Sequence, residues 1–168
     1  SVSSKTVIDT AAGLLQDVTF VRWSSTELLK WLNVGQVQAA KAKPDTCSLT
    51  TEMQLIAGTK QALPDGSSTY QDVSSNTLRA GYSLLTLTRN LGVGGSTPGR
   101  SITIIDRDMM DAADPNWHSA TAGSEVIHFM YDPKVPLEFY VYPAVPTGRL
   151  WVEFSYATAP TPCATYDA

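Results

Sequence analysis

The residues of this 168-residue chain from which chemistry could be built are few: His118 and His128, Cys47 and Cys163, and the aspartates Asp106, Asp108, Asp111 and Asp114. A histidine working with a serine nucleophile needs that serine held on a sharp, exposed elbow of the form G-x-S-x-G, and the chain has none. The four aspartates offer hard oxygen ligands of the kind a divalent cation takes. Their spacings of two, three and three scatter them over more than one face of a helix, and acids in a first turn complement the helix dipole. The glycine-rich stretch GVGGSTPGR, residues 92–100, lacks the lysine followed by serine or threonine that a phosphate cradle requires. The two cysteines are far apart in sequence and in neither a metal nor a redox spacing, so free thiols are expected. Trp23, Trp31, Trp117 and Trp151 could stack on a base or a sugar, yet three of them stand at element starts or in apolar patterns, where core packing is the default. No catalytic, metal or cofactor site is expected.

The elements that would position such residues follow from composition and period. At 18.1 kDa the chain is the size of one domain, and 43% hydrophobic and 17% charged residues fit a globular protein. No apolar run approaches the ~20 residues of a spanning helix, and the N-terminal residues lack the layout of a secretory leader, so a protein made and used in a cytoplasm is expected. A net charge of -4 argues against a surface that wraps nucleic acid, which needs clustered lysine and arginine.

Val7, Ile8, Ala11, Ala12 and Leu15 recur at helical intervals and predict a helix over 4–16. Ser24 and Glu27 have capping-box spacing, with Trp23 and Leu28 placed as a hydrophobic staple. Leu28, Leu29, Trp31, Leu32, Gly35, Gln36, Ala39 and Ala40 continue down one side until Pro44 stops the helix after about 28 Å. Beyond Pro44 the period falls to two. Leu49–Leu55 and Thr59–Leu63, joined at Ala57-Gly58, predict a hairpin. Residues 64–81 read as a long exposed loop, 83–91 and 101–105 as strands, and 106–113 as a short helix capped by Asp106 and ended by Pro115. Residues 115–156 alternate in three runs, with Ile127, Phe129 and Tyr131, then Phe139 and Val141, then Leu150, Val152, Phe154 and Tyr156 on common faces. That pattern predicts a three-stranded antiparallel meander. The expected fold is α+β, an N-terminal helical hairpin or bundle packed with antiparallel strands. Residues 1–156 are expected to form a single domain, with a helical part over 1–44, a mainly β part over 45–156 and an extended tail over 157–168.

Three blocks carry a resemblance. VRWSSTELLKWLNVGQ (21–36), MQLIAGTKQALPDG (53–66) and the region from RNLGVGGSTPGRSITIIDRDMMDAADPNWHSA into EVIHFMYDPKVPLEFYVYPAVP (89–146) resemble the head-to-tail adaptor, or connector, proteins of tailed bacteriophages. The resemblance implies a virion structural protein that forms a ring, commonly of twelve copies, beneath the portal protein. Such a ring lengthens the DNA channel and supports tail or nozzle proteins, with DNA passing without sequence-specific binding and no membrane involved. It also implies a place at the head–tail junction after assembly in the host bacterial cytoplasm. The chain departs from the family pattern at about 67–80, where relatives pass almost directly from LPDG to the next strand.

A ring needs two different faces per subunit, which a sheet and a long helix supply. Two stretches are expected to make contacts: the tail, with Pro160, Pro162, Cys163 and Tyr166, against the portal, and the loop, with Tyr70, Asp72, Arg79 and Tyr82, against a neighbouring subunit or tail component. A tail-completion or stopper ring protein, or a small soluble enzyme, stands as the alternative.

Overall fold

The computed structural model describes residues 3–148 and 150–166. Position 149, just before the third expected run, and Asp167 and Ala168 of the expected tail lie outside the described residues. The chain divides into two compact units. One holds the N-terminal residues through Lys43 together with the chain from Pro160 onward; the other is Pro44–Ala159.

In the first unit, α1 spans Ser4–Leu14 and α2 spans Ser25–Ala42. Ser3 caps α1 by accepting from the Thr6 amide, and Ser24 caps α2 by accepting from Glu27 at 3.2 Å, as the capping-box spacing predicts. Between the helices the Asp17 carboxylate accepts three backbone amides, those of Val21, Arg22 and Trp23, and these bonds hold its carboxyl below the ordinary aspartate range. The apolar stripes are narrower than the periodicity predicts. On α1 only Ile8 and Ala12 of the five stripe residues are buried, while Val7 and Leu15 are exposed. On α2 only Ala40 is buried, Leu28, Leu29 and Leu32 are half-buried, and Trp31, expected in the core, is 63% exposed.

The second unit is built from seven strands, β1 (Ser48–Leu55), β2 (Gly58–Ala62), β3 (Gly81–Gly92), β4 (Thr103–Ile104), β5 (His128–Tyr131), β6 (Glu138–Val145) and β7 (Leu150–Thr158), with α3 at Arg107–Ala113. They form two sheets, ordered β1-β7-β3 and β2-β6-β5-β4. Both expected pairings that define the hairpin and the meander are therefore corrected. β1 pairs with β7 and β2 with β6, so β1 and β2 are not a hairpin. β5 and β6 do pair antiparallel, but β7 leaves them for the other sheet, where it lies between β1 and β3. The reason is burial. Leu150, Val152, Phe154 and Tyr156 are each at most 2% exposed, and a strand lying flat beside β6 would present that face to the same side as Phe139 and Val141. Crossing to a second sheet lets the two rows face each other.

The main core joins these rows with Met53, Leu55, Leu84, Leu87 and Phe129. On the other face of β5, Met130 packs with Met110 of α3 and the fully buried Trp117, whose indole N–H donates to Asp111 at 2.7 Å. Asp106 caps α3 through the Asp108 amide, as predicted.

Polar side chains complete the ladder where the sheets part. At the β1–β2 corner the buried Gln61 accepts from the Ile56 amide (2.9 Å) and donates to its carbonyl (2.8 Å). Asn90, 1% exposed, donates to the carbonyls of Val126 (2.7 Å) and Arg100 (3.0 Å) and accepts from the Val126 amide (2.8 Å). Replacing Asn90 with alanine strands a buried donor and acceptor and should cost about 2–4 kcal/mol. Urea unfolding should show this as a lower midpoint at unchanged slope, and a loss under about 0.5 kcal/mol, the scale of an ordinary surface change, would contradict the account.

Candidate functional site

The chain beyond Thr158 is held inside the helical unit by side chains reaching for its backbone. Asn33 of α2 accepts from the Cys163 amide at 2.9 Å and donates to the Cys163 carbonyl at 3.1 Å, reading one residue of the tail much as a neighbouring strand would. Gln36, one turn on, directs its amide at the Cys163 sulfur, 3.8 Å away. From α1 the Ser4 hydroxyl reaches the carbonyls of Thr165 (3.1 Å) and Tyr166 (3.2 Å).

Tyr166 is the anchor of this arrangement. Its ring meets Phe20 edge-on at 5.6 Å, and the Lys5 ammonium lies 4.4 Å from the ring centroid. Its hydroxyl accepts from Lys5 at 2.8 Å and donates to the Asp9 carboxylate. Lys5 and Asp9 also pair at 3.3 Å along α1. The hydroxyl is the main cause that holds the Asp9 carboxyl below the ordinary value of 3.8 and raises the Lys5 ammonium above 10.5, with the Lys5–Asp9 pair adding to both. Of the four tail residues singled out in the sequence, Cys163 and Tyr166 are thus engaged by α1 and α2, while Pro160 is half-buried and Pro162 exposed. The polar residues that make the clamp, Ser4, Lys5, Asp9 and Asn33, were not singled out, because a polar position on a helix reads as solvent-facing.

The loop before β3 has its own anchors. Asp72 accepts from the amides of Ser74 and Asn76 at 2.8 Å and from the Asn76 side chain at 2.9 Å, and the side-chain bond is the leading reason its carboxyl is held low. Gln71 bridges to Thr77, Leu78 is 5% exposed, and Tyr70 packs against the main core. The expected exposed loop is therefore a hydrogen-bonded excursion pinned at both ends. Arg79 is exposed, with its guanidinium 3.5 Å from the Ala159 carbonyl and its own carbonyl accepting from the Tyr156 hydroxyl; Tyr82 is half-buried in β3.

The residues that could have done chemistry have structural partners. His118 stacks on Trp117 at 3.6 Å and shares a hydrogen bond with Thr59, and His128 shares one with Thr103. Asp114 caps the Asn116 amide. Among the described residues no group of three or more metal-ligating side chains is gathered, both cysteines are free, and no helix is long and apolar enough to cross a membrane.

The SU10 adaptor protein family matches the chain over residues 3–168, and the chain belongs to that family of phage head-to-tail adaptors. No curated protein matches the sequence.

The tail clamp should respond to acid. A carboxyl with a depressed pKa adds stability above its unfolded value, 3.8, and that contribution is lost as pH falls through the folded value. The Cys163 amide, followed by hydrogen exchange corrected for its intrinsic rate, should be protected at neutral pH and lose protection on acidification. Asp9→Asn should weaken protection at neutral pH and flatten the profile, whereas an unchanged profile would place the tail's hold elsewhere.

Proposed function

We propose that this chain is a ring-forming structural protein of the virion, seated beneath the portal at the head–tail junction, where it extends the DNA channel and gives tail or nozzle proteins a platform. The observation that carries this reading is the family match along nearly the whole chain. Twelve copies around the axis is the arrangement proposed, with assembly in the host cytoplasm, no membrane and no bond-making residues. The net charge of -4 suits a channel past which DNA must slide, since a wall without clustered cations holds the phosphates weakly.

Within this reading the tail, with Pro160, Pro162, Cys163 and Tyr166, is the portal-docking segment. Part of its hold on α1, the contacts of Lys5 and Asp9 with the Tyr166 hydroxyl, is made by side chains about half exposed, where ion pairs contribute little; a portal surface that takes the tail over must also match the bonds from Ser4 and Asn33. The loop, with Tyr70, Asp72, Arg79 and Tyr82, is proposed to meet a neighbouring subunit or tail component through its exposed crest at 73–77.

Mixing the protein with purified portal and imaging the product by electron microscopy tests the adaptor reading: a ring on the portal is expected, and no binding would favour a stopper ring further down. Truncation after Ala159 leaves β7 whole. It should sharply reduce co-purification with portal, and undiminished co-purification would remove the tail from the docking surface.

A further inference from the structure

The end of the chain has one side chain large enough to anchor a partner, and that side chain is already taken. From Ala159 onward the sequence runs APTPCATYDA, with Tyr166 as its single large residue. Tyrosine is among the residues that carry most of the binding energy at protein interfaces, whereas threonine seldom does. Tyr166 is half-buried within the helical unit, its ring against Phe20 and Lys5 and its hydroxyl between Lys5 and Asp9. The other way to hold an extended segment is through its backbone, and here too the groups are occupied. Asn33 engages both the amide and the carbonyl of Cys163, and Ser4 engages the carbonyls of Thr165 and Tyr166. A partner that recognises this segment must therefore bond to atoms that α1 and α2 already use.

The segment is also built to leave. Pro160 and Pro162 lack amide donors, so the chain past Thr158 is poorly suited to extend the β7 ladder. None of residues 160–166 is fully buried, so the clamp consists of separate polar and ring contacts without a buried apolar seam. A segment held in this way opens at a lower free energy than a core strand does.

We propose that the helical unit is a built-in competitor for its own tail: the clamp and the portal bind the same atoms of residues 163–166, so the tail docks only after it has left α1 and α2. The inference rests on the reading of the tail as the portal-docking segment and adds the regulation of that site. Because the two states exclude each other, the apparent portal affinity is the intrinsic affinity multiplied by the fraction of chains whose tail is free. Whatever loosens the clamp must then tighten portal binding by the same factor, up to the point where the tail is mostly free. The clamp acts as a threshold, since a surface that offers the tail less than α1 and α2 do leaves it where it is.

Two quantities are measured on the full chain for the unaltered protein, Asp9→Asn, Phe20→Ala and Tyr166→Ala. One is hydrogen-exchange protection of the Cys163 amide, whose acceptor Asn33 is left in place by all three substitutions; the other is affinity for purified portal by calorimetry. Circular dichroism first establishes that each variant keeps its helices. Asp9→Asn and Phe20→Ala should lower protection about three- to tenfold, the scale of one modest contact, and tighten portal binding by the same factor. Tyr166→Ala should lower protection too, yet weaken portal binding at least tenfold, because the anchor itself is gone. Lower protection with portal affinity unchanged or weakened in Asp9→Asn and Phe20→Ala would overturn the competition, and so would tighter binding by Tyr166→Ala, since portal would then not use that ring. Unaltered protection in all three would overturn the clamp. In each of these cases a chain truncated after Ala159 that no longer binds portal keeps the docking reading in place. Undiminished binding by the truncated chain would remove that reading and the inference together.

Discussion

Every backbone amide and carbonyl that leaves water must find a partner, and in the β unit that constraint is sharpest where one sheet gives way to the other. Three side chains meet it. Gln61 pairs with both backbone groups of Ile56 at the β1–β2 corner, Asn90 ties β3 to Arg100 and Val126, and the Tyr131 hydroxyl reaches the Leu84 amide at 3.2 Å. Each stands where a neighbouring strand would have continued the ladder. Without them the two sheets could still stack their apolar rows, but the chain could not pass between the sheets without stranding polar groups in the interior, at a cost of about 1–3 kcal/mol for each.

Two of these residues, Gln61 and Asn90, explain how far the fold was legible in the sequence. Alternation identified the strands, and the apolar face of β7 is buried as its pattern predicts, because side-chain period depends only on local backbone geometry. Pairing is another matter. Thr59–Leu63 follows Leu49–Leu55 across a short turn and reads as its partner, and nothing in either segment announces that Gln61 folds inward to serve the corner. A glutamine in an alternating run reads as a solvent-facing position, and here it is 2% exposed. Asn90 is read the same way and is buried for the same reason. The meander failed on a long-range fact, that a third strand must cover the row of Phe139 and Val141.

The loop before β3 illustrates how a long excursion is kept from being loose. Gly95 has a φ of +74°, and a Cβ there would come within 2.6 Å of Val73 and 3.1 Å of Trp151. The absence of a side chain at Gly95 thus lets the glycine-rich connection lie against the loop and the outer side of β7. The glycines that looked like a phosphate cradle in the sequence are turn and packing residues. What remains exposed is the crest, held in shape by the Asp72 carboxylate, and a pre-ordered crest loses less entropy on contact than a mobile one.

The two units differ in how complete they are. The β unit has a large main core and a second cluster under α3 and supplies its own missing hydrogen-bond partners, so its residues are spent on internal demands. The helical unit has caps, a well-bonded connection and a tail clamped by Asn33, Ser4 and Tyr166, but scarcely any interior, and the buried Gln36 Oε1 lacks a donor among the described residues. Side-chain clamps onto an extended tail give direction and register without covering apolar surface. For a protein of an adaptor family, that division has a physical sense: a self-sufficient β unit can hold its form before assembly, while helices that bury little alone have most to gain from being packed against something else.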